Sequence, residues 1–303
     1  MIFLEHINLY KMKRILIIWA LLIGTVYAQS KAGFYVVGGK VITVQDTSSR
    51  NYLKAIENAG VVPSVLQNAA SNYLVTSEKA IGSYSLMKAQ YPFIGGTAAT
   101  HKFNLNNPVD TDAGFRLTYG GTITHSANGM QGDGSTGFAH TFINPSISLS
   151  NTSSNLSFFS NAVSTQGVGV DIGTTSSIST AANILETASA TTFNQFAIGN
   201  NSTIDFIRSN SNKKGFINSK ISGTTISVTI NGAETFSKIG AISLINTTSP
   251  LTIAGRNSPT GLASGLFSNR PYQYVGIGSA LTNATMELQQ SRIVTFFNSM
   301  QNR

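Results

Sequence analysis

The sequence predicts a mainly β protein, a jelly-roll β-sandwich with a helical module before it and one helix after it. Only 11% of its 303 residues are charged, while glycine, serine, threonine and asparagine are abundant. From residue 93 to residue 281, short apolar or alternating runs recur at intervals of roughly 8–12 residues between turn residues, which is typical of a sandwich. Helical spacing of apolar residues appears only before and after this region.

The N-terminal segment, residues 1–28, predicts either a cleaved secretory signal peptide or a retained membrane anchor. Lys11, Lys13 and Arg14 precede an apolar run that ends at Ala28, and small residues stand at the −3 and −1 positions of the expected cleavage site. A retained anchor would bring residues 13–28 into contact with a membrane, although the apolar run is short for a span.

Residues 29–46 predict an extended arm or small hairpin, and residues 47–92 predict a helical module. The stretch "TSSRNYLKAIENAG" combines cap residues with apolar residues at helical spacing, and Gly60 ends it. Pro63 suits the first turn of a second helix. A third short helix is expected in "SYSLMKAQ", ending before Pro92, because the residue preceding a proline disfavours the helical conformation.

Residues 93–281 predict the sandwich itself, and residues 282–303 predict a helix that packs back onto it. After a turn at Gly95 and Gly96, the alternating run "HKFNL" is expected to be the first strand. The stretch "SVTINGAET" predicts a hairpin with Asn231 and Gly232 at its tip. Thr282 is a suitable cap for the last helix, which offers one apolar face.

Segments at both borders of the predicted sandwich resemble one known family. They are "SLMKAQYPFIGGTAATHKFNL", "DTDAGFRLTYGGTITHSANG" and "YQYVGIGSALTNATMELQQSRIVTFFNSMQNR". Together they resemble the concanavalin A-like (laminin G-like) domain of virion structural proteins from phages of Bacteroidetes-type hosts. The resemblance spans roughly residues 60–303, with the middle matching by pattern only.

This resemblance implies a location on a virion surface, as a spike, fibre or head decoration. The implied partners are other virion proteins or further copies of the chain, and a host glycan is a possible ligand. A signal peptide is unusual in a virion protein, so a secreted bacterial carbohydrate-binding or adhesion protein is the alternative. A glycan-degrading enzyme is a second alternative.

The acidic residues argue against an enzyme. Glycosidases need two carboxyl groups close together, and jelly-roll glucanases place them as Glu-x-Asp-x-x-Glu on one strand. That run is absent, and no glutamate after residue 28 has another acid within four positions. The sequence also lacks cysteine, a G-x-S-x-G elbow and phosphate-loop motifs. We therefore predict a non-enzymatic protein without a cofactor.

The sequence offers one candidate metal site. Asp110 and Asp112, two residues apart, would coordinate Ca²⁺ together with backbone oxygens. Alternatively, they would form a turn that caps the next strand. The glycine-rich stretch "NGMQGDGSTG" lacks the acid that closes a calcium loop. His101, His125 and His140 match no zinc spacing, so hydrogen-bonded strand histidines are expected.

Three tyrosines are candidates for glycan contacts. Tyr119, Tyr272 and Tyr274 flank predicted turns and would stack on sugar rings, or they would be buried strand aromatics. The pair Lys213-Lys214, with Lys220 nearby, predicts a solvated loop or a contact to an anionic ligand. Because residues 29–303 contain no longer run of basic residues, nucleic acid is not an expected partner.

Overall fold

The computed structural model describes residues 34–37, 40–43, 45–176, 184–200, 203–209, 211–232, 234–239, 249–258, 261–262 and 266–301. The chain divides into two compact units, Met1–Thr47 and Ser48–Arg303. In the first unit, strands β1 (Phe34–Val37) and β2 (Lys40–Thr43) form an antiparallel hairpin. The predicted signal or anchor segment, residues 1–28, lies outside the described residues.

Three longer helices lie before and after the sandwich strands in the sequence, and two helices of four residues lie between strands. Their bounds are α1 Thr47–Asn58, α2 Val65–Ala80, α3 Ala98–His101, α4 Pro145–Ser148 and α5 Asn283–Gln301. The remaining strands are β3 Met87–Tyr91, β4 Thr118–Gly120, β5 Ile123–Ser126, β6 Gly129–Gly132, β7 Phe138–His140, β8 Ser153–Ser160, β9 Gly169–Thr175, β10 Ile184–Ser189, β11 Asn194–Asn200, β12 Thr203–Arg208, β13 Gly215–Ser222, β14 Thr225–Ile230, β15 Glu234–Ile239, β16 Thr252–Ile253, β17 Arg256–Ser258, β18 Gly261–Leu262, β19 Pro271–Tyr272 and β20 Tyr274–Gly278.

Two large, mainly antiparallel sheets form the sandwich in the described part of the chain. One has the order β15-β14-β13-β8-β20-β3, and the other has the order β12-β11-β10-β9-β16-β7-β4. In the second sheet β17 also pairs with β9 in parallel, and β18 pairs with β17. A smaller, three-stranded sheet has the order β19-β6-β5. Neighbouring strands of the six-stranded sheet come from distant parts of the sequence, since β20 pairs with both β8 and β3.

The main core lies between the two sheets. Alternate residues of the six-stranded sheet, such as Leu156, Phe158 and Ile217, meet Ile172 and Phe196 of the other sheet. The side chains between them in sequence point to the opposite face, as the period of two requires. There Phe216 and Tyr274 form a second core with the helices.

Helices α1 and α2 form because their caps and apolar stripes agree. α1 buries Tyr52, Leu53 and Ile56 along one face. Ser64 and Gln67 make a reciprocal capping box at the start of α2, which satisfies two backbone N–H groups that the helix leaves unpaired. The helices then pack against the outer face of the six-stranded sheet and against α5.

Two local predictions differ from the structure. "SYSLMKAQ" is not a helix but a 3₁₀ turn at Tyr84–Leu86 followed by β3, which pairs antiparallel with β20. This pairing places Ala89 and Tyr91 in the main core, and their burial outweighs local helix propensity. "HKFNL" is not a strand either, because a capping box at Thr97 starts the short helix α3.

Helix α5 begins after Thr282, whose Oγ1 accepts from the backbone N–H of Thr285 at 3.1 Å. Phe297 stacks on Phe159 of β8 with ring centroids 5.3 Å apart. The predicted fold class, a mainly β sandwich with helices before it and one after it, is confirmed. None of the helices that the structure describes combines the length and the apolar character that crossing a membrane requires.

Candidate ligand-binding site

The loop at residues 106–116, here the Asp110 loop, follows a fully buried anchor. Oδ1 of Asn104 accepts from the backbone N–H groups of Gln90 and Asn106, each at 3.0 Å. Nδ2 of the same side chain donates to the carbonyl oxygens of Lys88 and Gly114, each at 3.1 Å. One side chain therefore uses all four of its hydrogen-bonding positions to fix both ends of the loop to the edge strand β3.

Backbone strain marks the end of the Asp110 loop. Phe115 has a φ of 57°, a left-handed conformation that is unfavourable for a residue with a bulky side chain. The hydroxyl of Tyr91 donates to its carbonyl oxygen at 2.6 Å and stabilises this conformation. A strained residue held by its surroundings is a common feature of ligand sites, so the loop is a candidate on that ground.

Asp110 and Asp112, the predicted calcium ligands, face two cations instead. Nζ of Lys102 lies 2.6 Å from Oδ2 of Asp110. Arg116 bridges the two aspartates, with Nη1 3.0 Å from Asp110 Oδ1 and Nε 3.0 Å from Asp112 Oδ1. The hydrogen bond from Lys102 lowers the pKa of Asp110 below its usual value, and Arg116 acts in the same direction.

This ion network replaces the predicted Ca²⁺ site. A calcium ion needs about six to eight oxygen ligands, whereas here the carboxylate charges are already balanced by Lys102 and Arg116. Within the described residues, no group of three histidines, aspartates or glutamates is placed to hold a metal ion. The two aspartates do form the start of a turn, since Asp112 opens a 3₁₀ helix that ends at Gly114.

A cleft of about 330 Å³, here the Asp110 cleft, opens between this loop and helix α1. It is lined by Ala55, Asn58, Ala59, Ala99, Lys102, Phe103, Pro108 and Asp110. The alanines, the proline and the phenylalanine form an apolar floor, and Asn58, Lys102 and Asp110 supply polar groups. Its size lies at the lower end of the range for small-molecule sites, roughly 300–1,000 Å³.

Two of the three histidines after residue 28 come together below the Gly95-Gly96 turn. Nδ1 of His101 lies 3.1 Å from Nδ1 of His125, and Nε2 of His101 accepts from the backbone N–H of Gly96 at 3.1 Å. Since Nε2 is an acceptor, Nδ1 carries the proton and donates to His125. Both nitrogens of His101 are thereby used, and the pair is explained without a metal ion.

Burial and the neighbouring ring charge of His125 lower the pKa of His101 to about 3. The third histidine, His140, lies apart from this pair, with Nδ1 3.3 Å from the hydroxyl of Thr252. Asp133, in the glycine-rich stretch, accepts from the backbone N–H groups of residues 135–137. These bonds lower the pKa of Asp133 and identify the stretch as a side-chain-stabilised turn.

The three tyrosine candidates for glycan stacking have different environments. Tyr272 and Tyr274 are completely buried, so neither ring can stack on a sugar, and the prediction is wrong for these two. Burial follows from their partners, since Tyr272 packs in the core between the sheets and Tyr274 under the helices. Tyr119 is partly buried and meets the ring of His125 edge-on at 4.5 Å.

A buried ion pair, which sequence patterns did not indicate, lies inside the sandwich. Nε of Arg270 is 3.4 Å from Oδ1 of Asp171, and both side chains are completely buried. Asp171 is the extra residue of a β-bulge, because Thr187 pairs with Ile172 while Ala188 pairs with Val170. The bulge turns the carboxylate inward, where the hydroxyl of Tyr272 donates to it at 2.7 Å.

Sequence reasoning also missed the cleft residues Asn58, Lys102 and Phe103 and the anchor Asn104. Each is ordinary in its local sequence, and Asn58 is far from the Asp110 loop along the chain. A weak signal existed for Asp110, since two aspartates and an arginine within seven residues indicate a charged turn. The cleft itself depends on tertiary packing of α1 against the sandwich.

No protein-family model matches the sequence, and no curated protein matches it. Several solved structures are similar. The binding domain of botulinum neurotoxin DC, in complex with rat synaptotagmin II, is similar over 72% of this chain and 52% of its own, at 15% identity and a TM-score of 0.46. Domains LG4-5 of the mouse laminin alpha1 chain are similar over 43% and 36%, at 14% identity and a TM-score of 0.30.

The NanB sialidase from Streptococcus pneumoniae is similar over 46% of this chain and 24% of its own, at 13% identity and a TM-score of 0.39. The chain thus spans between about a quarter and about a half of these structures. At such identities and scores, nothing about binding or catalysis follows for this chain, because one architecture serves many functions.

Proposed function

We propose that this chain is a non-enzymatic glycan-binding protein and that the Asp110 cleft holds a sugar ring. The observation that carries the proposal is the combination of Asp110, Lys102 and Asn58 around an apolar floor, on a loop fixed in advance by Asn104. A preformed cleft loses little conformational entropy when it binds, which favours affinity for a small ligand.

The polar groups of the cleft match the chemistry of sugar hydroxyls. A hydroxyl both donates and accepts, and here the carboxylate of Asp110 accepts, the ammonium of Lys102 donates and the amide of Asn58 does both. The Lys102–Asp110 contact leaves hydrogen-bonding capacity on each partner, because an ammonium has three donors and a carboxylate has several lone pairs. The C–H face of a sugar would lie on the apolar floor near Pro108.

The titration behaviour of the acids favours binding over hydrolysis. A glycosidase needs a carboxylic acid that stays protonated near neutral pH and stands close to a second carboxylate. In the cleft, the pKa of Asp110 is lowered rather than raised. Burial raises the pKa of Glu78 and Glu186, but Glu78 is covered by helix α5, and Glu186 is buried in β10 beside Arg256.

The proposed location is the surface of a phage particle, where the chain would be a spike, fibre or decoration beside other virion proteins or copies of itself. The border motifs quoted above support this location. The signal-like segment at residues 1–28 supports the alternative, a secreted bacterial adhesion protein. Mass spectrometry of purified particles distinguishes the two, because a virion protein must be present and a secreted one must be absent.

A glycan array followed by affinity measurement on variants tests the binding function. D110N should weaken the interaction with the best array ligand about tenfold or more, because a charged carboxylate becomes a neutral amide with one acceptor oxygen fewer. D112N is the matched control, since Asp112 also contacts Arg116 but does not line the cleft. D112N should bind like the unmodified chain. An array with no ligand, or D110N binding at full strength, would contradict the proposal.

A further inference from the structure

A second hollow, here the rim hollow, opens at one end of the six-stranded sheet with a volume of about 640 Å³. It is lined by Ala162, Val163, Asn212, Lys213, Lys214 and Asn231. These residues follow β8, precede β13 and follow β14. The three positions meet because β13 pairs antiparallel with both β8 and β14, so that the end of β8, the start of β13 and the end of β14 share one edge.

A buried guanidinium fixes the lysine-bearing loop from beneath. Nη1 of Arg270 donates to the carbonyl oxygens of Ala162 and Lys213, at 2.8 Å and 3.1 Å. Nη2 donates to Oδ1 of Asn212 at 2.6 Å. The planar, multidentate shape of the guanidinium lets one side chain join two loops. The backbone under the lysines is therefore ordered before any ligand arrives.

Asn231 fixes the other end of the same loop. Its Nδ2 donates to the carbonyl oxygen of Lys214 at 3.1 Å, and its Oδ1 accepts from the backbone N–H of Phe216 at 2.9 Å. Gly215 allows this approach, since a Cβ there would lie 1.9 Å from Oδ1 of Asn231. The sequence Lys213-Lys214-Gly215 is thus shaped by a specific contact with the β14–β15 turn.

The positive charge at the rim hollow comes from Lys214 and not from Arg270. Asp171 balances Arg270 inside the sandwich, at 3.4 Å from its Nε. Lys214 is exposed and Lys213 is half-buried. The lining that the structure describes contains no acidic residue. The hollow therefore presents the exposed ammonium group of Lys214 above a fixed polar floor, with the partly exposed apolar side chain of Val163 beside it.

We propose that the rim hollow is a second binding site, separate from the Asp110 cleft, and that it takes the anionic group of an acidic saccharide. The ammonium group of Lys214 supplies attraction for negative charge, and Val163 supplies an apolar contact for the sugar ring. An ammonium at the end of a flexible stem recognises charge more than shape. The shared chemistry is thus an anion on a sugar, whose source is a carboxylate or a sulfate.

Binding of three defined oligosaccharides by the full chain tests this site. The probes are an oligomer of sialic acid, which carries carboxylates only, a heparin tetrasaccharide, which also carries sulfates, and neutral maltotetraose. We expect an acidic probe to bind and its affinity to fall between about 50 mM and about 200 mM salt, as ion contacts are screened. K214E should weaken binding about three- to tenfold. K88E, at an exposed lysine on edge strand β3, is the matched control and should bind normally.

The outcomes distinguish a carboxylate from a sulfate as the bound group, and they distinguish the rim hollow from the Asp110 cleft as the binding site. Binding of the sialic acid oligomer identifies a carboxylate, and binding of the heparin probe alone identifies a sulfate. The inference is overturned if neither acidic probe binds, if maltotetraose binds as well as they do, or if K88E weakens binding as much as K214E. It is also overturned if D110N removes binding while K214E does not, a result that would leave the Asp110 cleft intact as the proposed glycan site.

Discussion

The hydroxyl of Tyr91 donates a hydrogen bond to the carbonyl oxygen of Phe115 at 2.6 Å. This bond joins the edge strand of the six-stranded sheet to the strained residue that ends the Asp110 loop. Because Tyr91 is itself fixed by strand pairing with Val275, the position of the loop depends on the register of the sheet. The border between helical module and sandwich therefore also shapes the candidate site.

The Y91F variant tests this connection. It keeps the buried ring but leaves the carbonyl of Phe115 without its donor, so the free energy of unfolding should fall by about 1 kcal/mol. Urea denaturation followed by circular dichroism measures the change. Glycan affinity should fall as well, because the loop loses a fixed point. Unchanged stability together with unchanged affinity would show that the bond does not hold the loop.

The Asp171–Arg270 pair predicts a large effect from single substitutions. R270M leaves a buried carboxylate without its cation and should lower the free energy of unfolding by about 3–5 kcal/mol. The double variant D171N/R270M should recover part of this loss, since the uncompensated charge is removed. Chemical denaturation of both singles and the double gives the coupling energy. A loss below about 1 kcal/mol for R270M would contradict the buried pair.

Because of Glu78, we expect the stability of the chain to fall as pH rises. Burial between α2, α5 and the sheet raises the pKa of Glu78 to about 7, while the side chains of Gln90 and Gln289 oppose the shift. Between pH 4.5 and pH 7 the folded state thus keeps a proton that the unfolded chain has released, because the usual pKa of a glutamate is 4.5. As pH rises from 4.5 to 7, Glu78 therefore lowers the free energy of unfolding progressively. The total loss is roughly 3 kcal/mol above pH 7.

The E78Q variant removes this titration. It should be more stable than the unmodified chain near and above neutral pH, with the difference vanishing toward pH 4.5 and below. Thermal unfolding at a series of pH values measures the difference curve, in which other titrating groups cancel. A difference that does not depend on pH would mean that Glu78 is ionised in the folded state.

For His101 we expect the opposite pH dependence, with a stability that rises as pH rises. Its pKa in the folded state is about 3, so the folded chain keeps the ring neutral while the unfolded chain binds a proton below its usual value of 6.5. The contribution of His101 to the free energy of unfolding is therefore fully present above pH 6.5 and is lost as pH falls toward 3. Nuclear magnetic resonance of the imidazole nitrogens should find no protonation of His101 at pH 5. A midpoint near 6 would contradict the buried pair with His125.

The overall architecture was accessible from the sequence because its signals are repeated many times. Period-two runs between turn residues indicate strands throughout residues 93–281, and the cap at Thr282 with an apolar face indicates the last helix. The local identity of residues 87–91 was not accessible. Leu86, Met87 and Ala89 fit a helix by propensity, and only pairing with β20, nearly two hundred residues later, makes this segment a strand.

The candidate site was less accessible for the same physical reason. Asp110 and Asp112 stood out as neighbouring acids, but their partners Lys102 and Arg116 determine whether they hold a metal ion or balance cations. The buried position of Asp171 depends on a bulge, which no local pattern indicates. Lys213 and Lys214 were visible as a pair, whereas the hollow around them requires three connections to meet in space.

The most direct test of the central claim is nuclear magnetic resonance titration of the chain with the best ligand from the glycan array. The account predicts amide and side-chain shifts concentrated at Asn58, Lys102 and Asp110, with a matching loss of these shifts in D110N. Shifts confined to another surface, or no shifts at a concentration that saturates the array signal, would contradict a glycan site in the Asp110 cleft.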